Sequence, residues 1–192
     1  MSVKLATTGE QREAVFRVRH RVFVDEQGVD EALEWDEHDD PAAPTAHFIA
    51  YSGSQPVGTA RLRIPRDTAD DRDNGATSHT ETETDTEPSG TNTDTDIRTT
   101  ENSGCCLETA VTETTTTGKV ERVAVLADYR NQGWGTRLMK TVETHAQQCG
   151  LSILRLHGQT RVESFYRALG YHTVSDVFEE AGIPHVSMKK QL

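Results

Sequence analysis

Apolar and polar positions along this chain repeat at two different periods, and the changes of period mark out its elements. Val3-Lys4-Leu5 reads as a short opening strand. Thr8 and Gln11 have capping-box spacing, in which a hydroxyl and an amide satisfy backbone N–H groups at a helix start. Ala14, Val15, Val18 and Val22 then recur at helical spacing. The pattern predicts a helix to about Val22, with those residues buried and Arg12, Arg17, Arg19 and Arg21 in solvent. Phe23 to His38 reads as an acidic connection with apolar anchors at Phe23, Val24, Val29, Leu33 and Trp35. His47 to Tyr51 is a predicted strand, Ser52 to Gln55 a turn, and Val57 to Ile64 the partner strand of a hairpin, although Pro56 and Gly58 weaken its start. Arg61 and Arg63 share one face of that strand, with Leu62 and Ile64 on the other.

From about Arg66 to Gly118 periodicity disappears into Thr, Asp, Glu, Ser, Asn and Gly. Such a segment buries too little apolar surface to offset its ordering entropy, so disorder is expected there. A hairpin tip tolerates a long insertion, because closure entropy grows slowly with length. Order is expected again at Lys119. Val120 to Leu126 reads as an apolar, β-branched strand, and Gly133 to Gln148 as a helix with Leu138, Met139, Val142 and Ala146 on one side. Leu151 to Leu156, Tyr171 to Val174 and His185 to Met188 are predicted strands, and Val162 to Leu169 a helix closed by Gly170. The order β-α-β-β-(insert)-β-α-β-α-β-β predicts an α/β class with a mixed sheet, in a single domain spanning residues 1–192.

Composition changes that picture in one respect. The net charge is −11, but the insert holds 13 acidic residues against three arginines, and the rest 18 against 17 basic ones. The acidity therefore belongs to the insert. A net negative chain is a poor counterion-displacing binder of nucleic acid. Lysines number five against 15 arginines, a balance that with the insert resembles proteins of salt-adapted cells. Cys105, Cys106 and Cys149 form neither a disulfide framework nor a C-x-x-C pair, and fit a reducing cytoplasm. No signal peptide and no apolar run approaching a membrane span is present in this sequence. The expectation is a cytoplasmic protein with no nucleic-acid or membrane partner.

The chemistry concentrates in Val123-Ala124-Val125-Leu126-Ala127-Asp128-Tyr129-Arg130-Asn131-Gln132-Gly133-Trp134-Gly135-Thr136. A buried strand feeds a short glycine loop that opens a helix. The first N–H groups of that helix lack intrahelical acceptors, and the helix dipole adds about half a positive charge beside them. That is an anion site suited to a phosphate. A dinucleotide fingerprint is disfavoured, because Leu138 stands where its third glycine belongs and no acid follows at the end of the next strand. A P-loop is excluded, since no Gly-Lys-Ser/Thr is present there.

Arg130-x-x-Gly133-x-Gly135 after an apolar strand resembles the acetyl-CoA loop of the GNAT acetyltransferases. Gln159-x-x-Val162-x-x-Phe165-Tyr166-x-x-x-Gly170-Tyr171 resembles the family's second motif, with Gln159 and Val162 departing from its Asn and Ala. Val22 to Val29 and Gly182 to Lys189 look like a subgroup of small bacterial and archaeal members whose substrates are mostly unassigned. The resemblance covers the chain outside the insert. It implies a GNAT fold, in which a mixed, mostly antiparallel central sheet is flanked by helices. It implies acetyl-CoA as co-substrate, no metal, and acetyl transfer to a primary amine on a small molecule or peptide, by a monomer or homodimer. The alternative is a module of the same fold that senses an acyl-CoA without turnover.

Matched position by position, the resemblance implies that the backbone at Val123, Ala124 and Val125 pairs with the pantetheine arm. Arg130, Asn131, Gln132, Gly133, Trp134, Gly135 and Thr136 would hold the pyrophosphate, and Gln159 would lie near the arm. Trp134 either packs the helix start or touches the cofactor. Tyr166 is implied as the acid that protonates the departing thiolate, or else is a core aromatic beside Phe165. An amine with a pKa near 10 is almost wholly protonated at neutral pH, so a base helps. Regular alternation puts Glu121 on one face with Val123 and Val125, where a carboxylate could take that proton; otherwise it pairs with Arg61, Arg63 or Lys119. His47, His157 and His185 are further candidates and lack metal-ligand spacing.

Overall fold

A computed structural model describes residues 1–65 and 117–192. Its core is an eight-stranded sheet in the order β1-β2-β3-β4-β5-β8-β6, with β7 paired to β8. The strands are β1 (Ser2–Leu5), β2 (Thr45–Ser52), β3 (Gln55–Arg63), β4 (Thr117–Val125), β5 (Ile153–Gln159), β6 (His172–Thr173), β7 (Phe178–Glu180) and β8 (Ile183–Gln191). Only β4 and β5 pair in parallel. The sheet is therefore mixed and mostly antiparallel, as expected.

Helices cover both faces. On one side α1 (Gly9–His20) buries Ala14, Val15 and Val18 against Ile49 and Ala124. Its start is the predicted box, with the Thr8 hydroxyl accepting from Gln11 N–H and the Gln11 side chain returning to Thr8 N–H. On the other side α3 (Trp134–Gln148) and α4 (Glu163–Ala168) pack on the sheet through Trp134, Leu138, Met139, Val142 and Tyr166.

Several expectations change. The first helix passes at Arg21 into a π-helical stretch to Glu26, and a short α2 (Glu31–Glu34) follows, where a plain connection was expected. Strand β4 begins at Thr117, before Lys119, and β5 extends to Gln159. Strand β7 was not foreseen. It joins β8 through Ala181 and Gly182, whose φ values of 50° and 72° suit a two-residue hairpin turn. The expectations for residues 66–116 of the insert lie outside the described residues.

Arg19 also departs from its solvent-facing expectation, being 1% exposed. Its guanidinium bonds Glu34 of α2 and, at 2.6 Å, Asp39 Oδ1. Arg61 on β3 is equally enclosed, and reaches Asp36 at 2.6 Å and Glu121 Oε2 at 2.7 Å. Arg122 adds ion pairs to Glu34 and Asp36. A layer of paired charge thus fastens α1, α2 and the following turn to the sheet. Charge at such depth is tolerated only because each guanidinium meets carboxylates.

Candidate active site

The site arises where two parallel strands part. Register between β4 and β5 runs from Thr117 opposite Ile153 to Val120 opposite Leu156, and then stops. Beyond that point β4 stays with β3 while β5 stays with β8. The residues Glu121 to Val125 therefore present a strand edge with no strand partner among the described residues. A cavity of about 850 Å³ opens beside it, within the usual range for small-molecule sites.

A bulge in β4 sets what that edge offers. Thr59 lies opposite Ala124 and Arg61 opposite Glu121, so three steps on β4 match two on β3. Arg122 absorbs the extra residue with φ 52°. Such an insertion shifts the alternation of every residue beyond it. Ala124 consequently joins the α1 core, whereas Val120, Val123 and Val125 pack on the α3 side. This corrects the expected face of Glu121. Glu121 is opposite Arg61 and shares a face with Ala124, away from Val123 and Val125.

Three cations hold the Glu121 carboxylate. Arg61 Nη2 lies at 2.7 Å, Arg63 Nε at 3.1 Å and Lys119 Nζ at 3.3 Å. Burial pushes its pKa up, but the charges of Arg61, Arg63 and Lys119 outweigh that and bring it to about 2. Glu121 lines the cavity, yet an anion held so firmly has little affinity for a proton.

The glycine loop closes the cavity at the other end. A 3-10 turn over Ala127–Tyr129 leads to Arg130, then to Asn131 and Gly133 with φ of 61° and 81°. Both are left-handed, a conformation Asn and Gly adopt with least penalty. Arg137 N–H is bonded to Gly133 O, so the N–H groups before it in α3 have no intrahelical acceptor. The two glycines serve different ends. A Cβ on Gly133 would meet nothing within 4 Å, so its role is conformational. A Cβ on Gly135 would stand 3.1 Å from Phe165 Cζ, so that glycine lets α3 approach α4.

The expected cofactor residues gather around this cavity, with one exception. Val123, Ala124, Val125, Arg130, Asn131, Gly133, Trp134, Gly135, Thr136 and Gln159 line it, as do Glu121 and Tyr166. Gln132 does not. Its side-chain amide turns back to donate to Asp128 O at 2.8 Å, stiffening the loop. Arg130 Nε donates to Val125 O at 2.9 Å, and its Nη2 pairs with Glu26. Gln159 Nε2 donates to Gln27 Oε1 at 2.8 Å across the cavity. Trp134 is 1% exposed in the α3-side core, and its indole N–H has no partner among the described residues. Tyr166 is 6% exposed, and burial raises its pKa, so the phenol keeps its proton at any working pH.

Sequence reasoning missed part of the wall. Gln27 and Val29 from the α1–α2 connection, Leu33 from α2, and Glu180 and Ala181 from the β7 hairpin also line the cavity. Neither segment has a periodic pattern, and only packing brings them to the site. Among the described residues no group of three or more His, Cys, Asp or Glu could hold a metal ion. No helix among them is long and apolar enough to cross a membrane.

A splayed parallel strand pair, a free strand edge and a glycine-opened helix define an acyltransferase class of fold. The family profile described as "Acetyltransferase (GNAT) domain" matches residues 108–192. BSU40680 of Bacillus subtilis (strain 168), a predicted acetyltransferase, is 32% identical over 191 residues, covering 100% of this chain and 97% of its own. An acyl-CoA N-acyltransferase from Pseudomonas aeruginosa has a similar fold, with a TM-score of 0.64 at 21% identity over 98% of this chain and 97% of that one. An aminoglycoside 6'-N-acetyltransferase solved in complex with coenzyme A has a TM-score of 0.58 at 12% identity over 100% of this chain and 97% of that one. The chain belongs to the GNAT acetyltransferase family.

Proposed function

We propose that this protein is an acetyl-CoA-dependent N-acetyltransferase that acts on a primary amine of a small molecule or peptide. The observation that carries the reading is the cavity itself. An unpartnered β4 edge, the open N-terminus of α3 and the phenol of Tyr166 all face one enclosed space. Each matches a different part of an acyl-CoA.

The backbone of Val123 to Val125 has the polarity of a strand edge and would pair with the pantetheine amides. The amides at the start of α3, from Gly133 to Thr136, with Asn131 and Arg130, would take the pyrophosphate. Arg130 would exchange its partner Glu26 for phosphate. Gln132 would support the loop, Trp134 would pack beneath it, and Gln159 would flank the arm. Tyr166, kept protonated by burial, would donate its phenolic proton to the sulfur as the C–S bond breaks. A related fold binding coenzyme A supports the choice of donor.

The test is thiol release from acetyl-CoA across a panel of amines: n-propylamine, spermidine, lysine methyl ester, an alanyl dipeptide amide and an aminoglycoside. Amine-dependent release, with the acetylated amine found by mass spectrometry, is the expected result. Tight acetyl-CoA binding with no amine-dependent release would instead identify a sensor of the same fold.

A further inference from the structure

We propose that His157 is the base that takes the proton from the acceptor amine, and that Glu180 orients it; this rests on the acetyltransferase reading above. His157 is on β5, on the wall of the cavity facing the released edge of β4. Its Nδ1 lies 2.8 Å from Glu180 Oε2 on β7. An ionised carboxylate only accepts, so Nδ1 carries the hydrogen and Nε2 keeps its lone pair. The Glu180 charge also stabilises the imidazolium once it forms. Phe178 stands edge-on to His157 at 5.0 Å and stacks on His185 at 6.2 Å, which fixes the ring from a second side.

The other candidates are poorer bases. Glu121 is held by three cations. His185 donates Nδ1–H to the neutral carbonyl of Ile183 at 2.7 Å rather than to a carboxylate. His47 packs edge-on to Phe16 of α1 at 5.7 Å and is not among the residues that line the cavity. The charged or titratable groups around His157 are Glu180 on β7, His185 on β8, Lys119 and Glu121 on β4, and Arg155 on its own strand.

The step balances as follows. His157 Nε2 removes one proton from the ammonium and passes it to solvent. The freed lone pair forms the C–N bond on the thioester carbonyl. The C–S bond breaks, sulfur keeps the electron pair and receives the Tyr166 proton. A second proton lost from nitrogen restores the phenol through solvent.

The experiment measures kcat and kcat/KM against pH for wild type, His157→Gln and Glu180→Gln, using whichever amine of the panel wild type acetylates. Calorimetry with CoA and thermal midpoints serve as controls. Wild type should keep most of its kcat at pH values well below the amine's own pKa. His157→Gln should lose roughly 10²-fold or more in kcat at pH 7. Its remaining activity should rise about tenfold per pH unit towards the amine's pKa, since only amine already neutral then reacts. CoA affinity should not change. Glu180→Gln should lower kcat at pH 7 several-fold with CoA affinity and thermal midpoint unchanged, and Glu180→Asp should restore part of it, because the carboxylate holds the ring in its working tautomer.

A His157→Gln enzyme within threefold of wild type at pH 7, with CoA binding intact, overturns the inference alone. If that variant does not fold, Glu180→Gln decides, and a kcat within twofold of wild type overturns the assignment. No turnover of any amine by wild type overturns the acetyltransferase reading and this inference together.

Discussion

Arg61 and Glu121 face each other across β3 and β4, guanidinium to carboxylate at 2.7 Å, with the arginine 2% exposed. Glu121 also serves Arg63 and Lys119, while Arg61 also serves Asp36 and Asp39. The pair joins the cavity's β4 wall to the charged layer beneath α1 and α2.

Breaking such a pair by removing one partner leaves the other buried and uncompensated, at a cost of about 3–5 kcal/mol. Glu121→Gln should therefore lower the thermal midpoint by roughly 6–20 °C, at about 2–4 °C per kcal/mol for a chain of this size. Differential scanning calorimetry reads that shift. The pH-rate profile of the folded fraction should be unchanged. A kcat lower by roughly 10²-fold or more in the folded fraction would return Glu121 to the role of base.

Acid should destabilise the protein in two stages. Burial lowers the His47 pKa from 6.5 to about 4, against the opposing charge of Asp39. The unfolded chain thus binds a proton that the folded one refuses, and stability falls as pH drops from 6.5 to 4. The contribution is up to about 3 kcal/mol. Glu121 has a folded pKa depressed to about 2, so its stabilisation is complete above 4.5 and lost as pH falls from there towards 2. Urea midpoints against pH should show both stages. His47→Leu should shrink the upper one, and an unaltered upper stage in that variant would mean that another group titrates there.

The two loop glycines should fail differently. Gly133→Ala forces a Cβ into a left-handed conformation, which costs about 1–2 kcal/mol. Gly135→Ala presses on the Phe165 ring 3.1 Å away, and trimming that ring should relieve it. Phe165→Leu should therefore rescue Gly135→Ala more than additively and leave Gly133→Ala unrescued. Calorimetric CoA affinity and thermal midpoints of the single and double variants test this. Strict additivity in the Gly135 cycle would place the defect elsewhere.

Tyr166→Phe keeps the ring against Phe165 and Tyr171 and removes only the hydroxyl. The expected outcome is a kcat lower by ~10²–10⁴ with acetyl-CoA affinity and thermal midpoint nearly unchanged. A kcat within threefold would make Tyr166 a packing residue.

The chain's local patterns already determined most of the frame. The Thr8–Gln11 box, the valine stripe of α1, the apolar β4 and the glycine loop before α3 are all legible, because capping, period and turn chemistry act between near neighbours. The ends of β5 and β8 and the whole of β7 were not, since short or half-exposed strands exist by virtue of their partners. Tertiary structure alone decided which way Glu121 faces. Alternation is a reliable guide only in a regular strand, and the bulge at Arg122 shows itself in pairing with β3. It likewise took Arg19 out of solvent, because the carboxylates that receive it come from Glu34 and Asp39, 15 and 20 residues further on. The cavity followed the same rule. Its loop could be read from sequence, but the His157–Glu180 pair on its far wall spans 23 residues and forms only when the β7 hairpin folds back beside β5.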